Sequence, residues 1–232
     1  MQSKPRGPFL LDDTVEFPPV HLADEHGLLA VGGDLSVERL LAAYRRGIFP
    51  WPWYEHMPMF WWSPDPRFVL EPDELKVPRS LRSVLRREVF EIRCDTAFAE
   101  VLEGCSSAPR PGQDGTWISA EIFDGYLALH EAGYAHSIEA WLDGELAGGF
   151  YGVAIGDLFC GESMFARVSD ASKAAFVTFV QKSGFRLIDC QLETDHLRRF
   201  GAHEIPRKEY MARLEECLQA PDRVGCWRDV EM

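Results

Sequence analysis

Leu158 to Lys173 reads LFCGESMFARVSDASK, and the rest of the chain is arranged around it. An apolar, strand-like run holds one carboxylate, Glu162, among Phe159, Cys160, Met164 and Phe165. Asp170 then stands as the expected N-cap of a helix through ASKAAFVTFVQKSG. A carboxylate among aromatic rings loses hydration, which raises its pKa unless hydrogen-bond donors or a cation compensate. Glu162 is therefore either part of a functional site or a core polar group with satisfied hydrogen bonds.

Working outward, HSIEAWL (136–142) alternates as a strand, Asp143-Gly144 makes a hairpin turn, and ELAGGFYGVAI is the returning strand. Gly156-Asp157 then turns the chain into the opening stretch. Further upstream, VFEIR (89–93) reads as a strand. A helix, TAFAEVLEGC, follows with Asp95 as its expected cap, and after a loop Ser119 caps AEIFDGYLALHEAG, closed by Gly133. Downstream come the strand RLIDCQ (186–191), a short DHLRRFG turn and a helix from Pro206, PRKEYMARLEECL. The resulting order is strand, two helices, three hairpin-connected strands, helix, strand, helix.

The N-terminal part is less regular. Residues 1 to about 26 are rich in proline and acid, show no periodicity and are expected to be irregular. Ser36 caps a helix in which Val37, Leu40, Leu41 and Tyr44 share a face, Gly47 suits the position after its end, and Pro50 stops it. Gly32-Gly33-Asp34 lacks the GK[ST] ending of a phosphate loop and reads as the turn before that helix. FPWPWYEHMPMFWWSPDPR (49–67) carries Trp51, Trp53, Trp61 and Trp62 between prolines that forbid a long helix. Trp61 and Trp62 read as an aromatic plug between a small N-terminal domain and the rest. Trp51, on a proline-stiffened loop, reads equally as plug or as a platform on which a base stacks.

At 232 residues, 46% hydrophobic and 26% charged, the chain has the composition of a globular protein with ample core. No apolar run approaches the roughly 18 residues of a membrane span. The six cysteines (94, 105, 160, 190, 217 and 226) show no CxxC spacing, so a reduced, cytoplasmic protein without a zinc site is expected. A net charge of −13 argues against a general nucleic-acid binder and against DNA as a partner. One segment departs from that balance. KVPRSLRSVLRREVFEIR (76–93) carries Lys76, Arg79, Arg82, Arg86, Arg87 and Arg93 against Glu88 and Glu91. Leu81, Val84 and Leu85 make one helix face, and Arg79, Arg82 and Arg86 another without acidic partners. That row is either a solvated face or a set of phosphate contacts.

The element order resembles the GNAT acyltransferase fold, a mixed sheet flanked by helices, and the fold expected is α/β (α+β). The [RQ]xxGx[GA] loop that binds acyl-CoA pyrophosphate in that superfamily is missing, since no glycine stands between Gly161 and Gly184. Acetyl-CoA is thus not the expected donor. The resemblance then narrows. GLLAVGGDLS (27–36), RRGIFPW (45–51), WWSPDPR (61–67), GTWI (115–118), HSIE (136–139), LFCGESMF (158–165), ASK (171–173) and LIDCQ (187–191) resemble, in order, the signature blocks of the leucyl/phenylalanyl-tRNA–protein transferase family. They cover about residues 27–215, and co-linear blocks are far more specific than one short motif.

That resemblance implies a small N-terminal α/β domain (1–64) and a GNAT-like aminoacyltransferase domain (65–232). It implies Leu-tRNA and Phe-tRNA as co-substrates, no cofactor or metal, and an acceptor protein with N-terminal Arg or Lys that the added residue marks for degradation. Asp189, Gln191 and Glu162 match the catalytic positions. Asp189 and Gln191 alternate onto one strand face, Asp189 orienting or deprotonating the amine and Gln191 polarising the carbonyl or holding the relay. Phe150, Phe159, Phe176, Phe179 and Ile188 are the candidates for an apolar side-chain pocket, with plain core as their other reading. Trp51, Trp117 and Tyr126 would hold the terminal adenosine. Lys76, Arg79, Arg82, Arg86 and Arg87 would hold acceptor-stem phosphates. Two rivals are a different GNAT-fold acyl or aminoacyl transferase and a non-catalytic tRNA or degron-binding module. The absent glycine loop and the GIFPW and GTWI blocks oppose the first, and the intact Glu162, Asp189 and Gln191 oppose the second.

Overall fold

The structure, a computed structural model, describes residues 7–52, 58–108 and 118–230. Trp117, expected at the adenosine, lies outside the described residues.

A small sheet comes first, built from β1 (Phe9–Leu11), β2 (Leu28–Gly32), β3 (Phe49–Pro50) and β4 (Phe60–Trp62) in the order β1-β2-β4-β3. Helix α1 (Val37–Tyr44) lies between β2 and β3, and the Ser36 hydroxyl accepts from the Arg39 N–H as its cap. The stretch before residue 26 is not wholly irregular. β1 pairs in parallel with β2, and a 3-10 turn covers Val20–Leu22. A three-residue edge strand is too short to show alternation, so no pattern betrays it. Trp61 is fully buried, its indole N–H bonds the Gly32 carbonyl at 2.8 Å, and Phe17 meets its ring edge-on.

The larger sheet starts with β5 (Arg67–Leu70), after which helix α2 (Arg79–Arg86) and strand β6 (Glu91–Cys94) lead to helices α3 (Phe98–Ser107) and α4 (Ala120–Glu131). Three antiparallel strands follow: β7 (Ala135–Leu142), β8 (Glu145–Ile155) and β9 (Leu158–Ala166). Helix α5 (Ala171–Lys182), β10 (Leu187–Gln191), the single turn α6 (Asp195–Arg198), β11 (His203–Ile205) and α7 (Arg207–Cys217) complete it. The seven strands lie in the order β11-β5-β10-β9-β8-β7-β6. From β6 to β10 this is the element order expected, in a mixed α/β fold. The expectation lacks β11, a three-residue edge strand on β5 that stands between the DHLRRFG turn and the last helix.

Two expected helix caps make no side-chain cap bond: Asp95 lies ahead of α3, and Asp170 holds the N-cap position of α5 without one. Asp95 has a positive φ of 52° and spends its carboxylate on the Ser137 and Trp227 N–H groups and on His136, while α3 begins at Phe98. Asp170 also has a positive φ, 69°, and bonds Lys173 Nζ at 2.7 Å rather than a backbone N–H. Both carboxylates find longer-range or charged partners that outcompete a local cap.

Helices α3 and α4 cover one face of the large sheet and share a core with α1 and the small sheet, through Leu40, Tyr44, Trp61, Val101, Leu129 and Tyr151. Helix α5 covers the other face over Phe150, Phe159, Phe176 and Phe179. β9 and β10 pair in parallel only from Leu187↔Leu158 to Asp189↔Cys160. β10 then bulges between Asp189 and Gln191, where Gln191 has a φ of 63°, and the chain leaves β9. The sheet is split at that point, with Glu162 on one side and Gln191 on the other.

β8 approaches β9 closely beside this split because Gly152 carries no side chain. A Cβ there would stand 2.3 Å from the Cys160 carbonyl oxygen and 2.5 Å from the Phe159 ring. The carbonyl belongs to paired sheet backbone and cannot step aside. Gly152→Ala is expected to cost about 1–3 kcal/mol, the scale of an overpacked core, read from urea denaturation against wild type.

Candidate active site

The split between β9 and β10 opens a cavity of about 690 Å³, bordered by Trp51, Phe150, Phe159, Glu162, Met164, Phe176, Ile188, Cys190, Gln191 and His196 among others. Its walls are mainly aromatic and aliphatic, and Glu162 and Gln191 are hydrogen-bonded to each other where the strands part.

Glu162 is the centre of that polar node. Its Oε1 accepts from the Tyr44 hydroxyl at 2.6 Å and from Gln191 Nε2 at 2.7 Å, and its Oε2 accepts from the Tyr126 hydroxyl at 2.8 Å. The two tyrosine hydroxyls also touch each other. Burial raises the Glu162 pKa, the three donors pull it back, and the result stands at about 7. Burial and the adjacent carboxylate hold both tyrosines well above their ordinary pKa, so they remain donors.

Asp189 is organised differently. It has no exposed surface, and its two oxygens take the Arg67 guanidinium in a fork, Nε to Oδ1 at 2.8 Å and Nη2 to Oδ2 at 2.6 Å. The Tyr210 hydroxyl adds a bond to Oδ2 at 2.8 Å, and the Gln191 N–H one to Oδ1 at 2.9 Å. Arg67 lies over the rings of Phe49 and Tyr210, 4.7 and 4.6 Å from their centroids, and reaches the Gly47 carbonyl. Burial is the largest single effect on Arg67 and acts to lower its pKa. The Asp189 charge, Tyr210 and the Asp189 hydrogen bonds together outweigh it and hold the guanidinium above its ordinary value.

Of the residues expected at the site, Glu162, Gln191, Trp51, Phe150, Phe159, Phe176 and Ile188 border this one cavity. Asp189 does not. The expected common face with Gln191 fails because the bulge adds a residue between them, so Asp189 is turned into the core and all its bonds go to the protein. Tyr126 does not line the cavity that Trp51 borders. It is fully buried on the inner side of α4 and holds Glu162 from beneath. Phe179 lies behind the wall, 4.5 Å from Phe159 and without exposed surface. Lys76, Arg79, Arg82, Arg86 and Arg87 are all exposed around α2, and none pairs with a carboxylate among the described residues. Trp51 also borders a second cavity of about 290 Å³ with Phe49, Trp62 and Leu192.

Tyr44, Arg67 and Tyr210 are site-building residues that sequence reasoning missed. Tyr44 reads as one more apolar position on the α1 face, and nothing in WWSPDPR distinguishes a buried arginine from an exposed one. Cys190, in the wall, was legible only as a strand residue. Burial, reinforced by Asp189, holds its thiol far above the ordinary value, so it stays protonated and unreactive.

An apolar chamber beside a buried carboxylate poised near neutrality, with its thiol held protonated, is compatible with group transfer by positioning and proton handling. Acyl and aminoacyl transfer are reactions of that kind. Comparison with known proteins narrows the choice. The leucyl/phenylalanyl-tRNA protein transferase profile matches residues 69–215, and the profile of that family's N-terminal domain matches residues 33–65. A leucyl/phenylalanyl-tRNA–protein transferase of Myxococcus xanthus is 56% identical over 216 residues, covering 92% of each chain. One of Solidesulfovibrio magneticus is 54% identical over 222 residues, covering 94% of this chain and 90% of that one. A solved GCN5-related N-acetyltransferase from Kribbella flavida aligns over 72% of this chain and 59% of its own, at 13% identity and a TM-score of 0.34, too loose a likeness to bear on the reading. The chain belongs to the leucyl/phenylalanyl-tRNA–protein transferase family, and is an enzyme that moves an aminoacyl group from tRNA to protein N-termini. Among the described residues no helix is long and apolar enough to cross a membrane.

The Glu162 pKa carries a sign. The folded protein keeps this proton up to about pH 7, whereas the unfolded chain releases it near the ordinary value of 4.5. Its contribution to stability is therefore fully present below the lower value and is lost as pH rises through the upper one. Wild type is expected to lose stability between pH 5 and pH 8, by about 2 kcal/mol from this group, and Glu162→Gln to remove that part of the slope in urea melts.

Proposed function

We propose that the 690 Å³ cavity takes the leucyl or phenylalanyl side chain of a charged tRNA among Phe150, Phe159, Phe176 and Ile188, with the ester at the Glu162–Gln191 node. The observation that carries this reading is the position of that node, a hydrogen-bonded amide and carboxylate at the margin of a mainly apolar chamber whose other polar lining includes Ser163, Ser172, Thr194 and His196. The terminal adenine stacks on Trp51, whose place between two cavities leaves room on either side of it. The acceptor is a protein beginning with Arg or Lys, and the chain's charge of −13 favours a basic approach.

The reaction joins the acceptor's α-amine nitrogen to the ester carbonyl carbon and breaks the ester C–O bond to the ribose. The amine gives up a proton and the departing ribose oxygen takes one. Glu162, with a pKa near neutrality, accepts the first proton, and its tyrosine contacts take up the rearrangement. Gln191 Nε2 is bonded to Glu162, so its amide plane is set before substrate arrives. Asp189 works through others: it fixes the Gln191 backbone and neutralises Arg67. The exposed row on α2 holds acceptor-stem phosphates. Residues 65–232 form the catalytic unit and 1–64 the smaller domain that brings Trp51 to it. The product, a protein with N-terminal Leu or Phe, is destined for degradation in the cytoplasm.

Mass spectrometry of an Arg-starting peptide incubated with Leu-tRNA or Phe-tRNA and the enzyme tests the acceptor reading. A gain of one leucine or phenylalanine residue is expected, and a peptide that stays unmodified while other N-termini react overturns it. Replacing Arg82 and Arg86 together by Glu is expected to weaken aminoacyl-tRNA binding at least tenfold at low salt and to reduce the salt slope by about 2. Unchanged binding would leave that row a solvated face.

A further inference from the structure

Trp227 lies in the C-terminal tail, beyond the residues matched by either family profile. It is nearly buried and packs with the core on the α5 side of the sheet. Three attachments hold it. Its backbone N–H donates to Asp95 Oδ2 at 2.8 Å, and its indole N–H to the Arg223 carbonyl at 3.1 Å. Its ring stacks on His136, with centroids 3.5 Å apart and planes within 4°. His136 is itself set flat by its Nδ1 contact to the same Asp95 oxygen at 2.8 Å, while its Nε2 has no partner among the described residues. Arg223 clamps the tail four residues upstream through Asp157 and the Ser183 and Gly184 carbonyls, with its guanidinium 4.0 Å from the Phe185 ring centroid.

The tail carries this ring to the back of the cavity wall. Trp227 is 6.4 Å from both Phe159 and Phe179 and 5.9 Å from Phe185, centroid to centroid. Phe159 borders the cavity, and Phe179 lies against Phe159 at 4.5 Å and Phe150 at 5.6 Å. Phe150 is backed by Phe179, and Phe159 by Phe179, Phe185 and Trp227. Cores are packed at crystal-like density, so removal of the supporting ring passes to the wall as depth in the chamber.

We propose that Trp227 is a positioning residue for donor choice: from the C-terminal tail it holds Phe159 and Phe179 forward and so limits the depth of the aminoacyl side-chain chamber. The assignment rests on the reading of that cavity as the donor pocket. Its consequence is selective. A deeper chamber fits the leucyl side chain less closely and the larger phenylalanyl side chain at least as well, whereas general loosening of the fold would lower transfer from both donors alike.

The test is steady-state transfer to an Arg-starting peptide by the full chain, with Leu-tRNA and Phe-tRNA measured separately. Trp227→Ala is expected to raise the ratio of kcat/KM for Phe over Leu by about tenfold, mostly through a higher KM for Leu-tRNA. Trp227→Phe, which keeps an aromatic ring at the site, is expected to return the ratio to within about twofold of wild type. A parallel fall for both donors would overturn the proposal and leave the tail a plain stabilising strap. If Trp227→Ala gives no cooperative melt, a folded Trp227→Leu reads the same ratio, and an unchanged ratio there overturns the proposal equally. Wild-type transfer that makes no distinction between apolar and polar donor side chains would instead remove the donor-pocket reading beneath it.

Discussion

The buried pair of Arg67 and Asp189 is the constraint on which the site depends. It joins β5 to β10 through two parallel hydrogen bonds and reaches the end of α1 at Gly47. Neither residue has appreciable exposed surface, and losing one partner would leave the other charged in the core, typically at a cost of about 3–5 kcal/mol. Phe49 and Tyr210 sandwich the guanidinium environment with aromatic faces, so elements from both ends of the chain meet at one ion pair. Asp189 also holds the Gln191 N–H, and the bulge that releases β10 from β9 lies directly beside that bond. The opening of the cavity and the security of the core thus share a single carboxylate.

The two acidic residues divide their duties by environment. Asp189 faces a full positive charge and two further donors, and all of its bonding capacity is directed into the protein. Glu162 faces only neutral donors, so burial lifts its pKa to about 7. A group poised there can hold or release a proton at physiological pH with little driving force in either direction. Carboxylates one strand apart therefore have opposite uses because one has a cation and the other has tyrosines.

The aromatic layer behind the cavity is continuous from the wall to the chain terminus. Phe150 and Phe159 meet Phe179, which meets Phe185 and Trp227, and Trp227 ends on His136. Wall and core are not separate categories in such a layer. Phe159 belongs to both, and a ring at its back influences the chamber as directly as a ring at its front.

Much of the fold was readable without coordinates. The hairpin-linked strands around LFCGESMF, the helices before and after them, and the caps at Ser36 and Ser119 follow from periodicity and turn chemistry that act within a few residues. The signature blocks also pointed to the family and to Glu162 and Gln191. Long-range relations could not be read from one dimension. The bulge at Gln191 reverses the expected partnership with Asp189, because one added residue changes which face a side chain takes. Asp95 looks like a helix cap until its distant partners, His136, Ser137 and Trp227, are known. Tyr44 and Tyr126 stand 82 residues apart, yet both hold one carboxylate. The sequence by itself determined which neighbouring strands pair as hairpins and which family the chain belongs to, since those signals are local or collinear. Only the tertiary structure decided which carboxylate faces the cavity, because desolvation and charge pairing depend on neighbours that the chain brings together from its far ends.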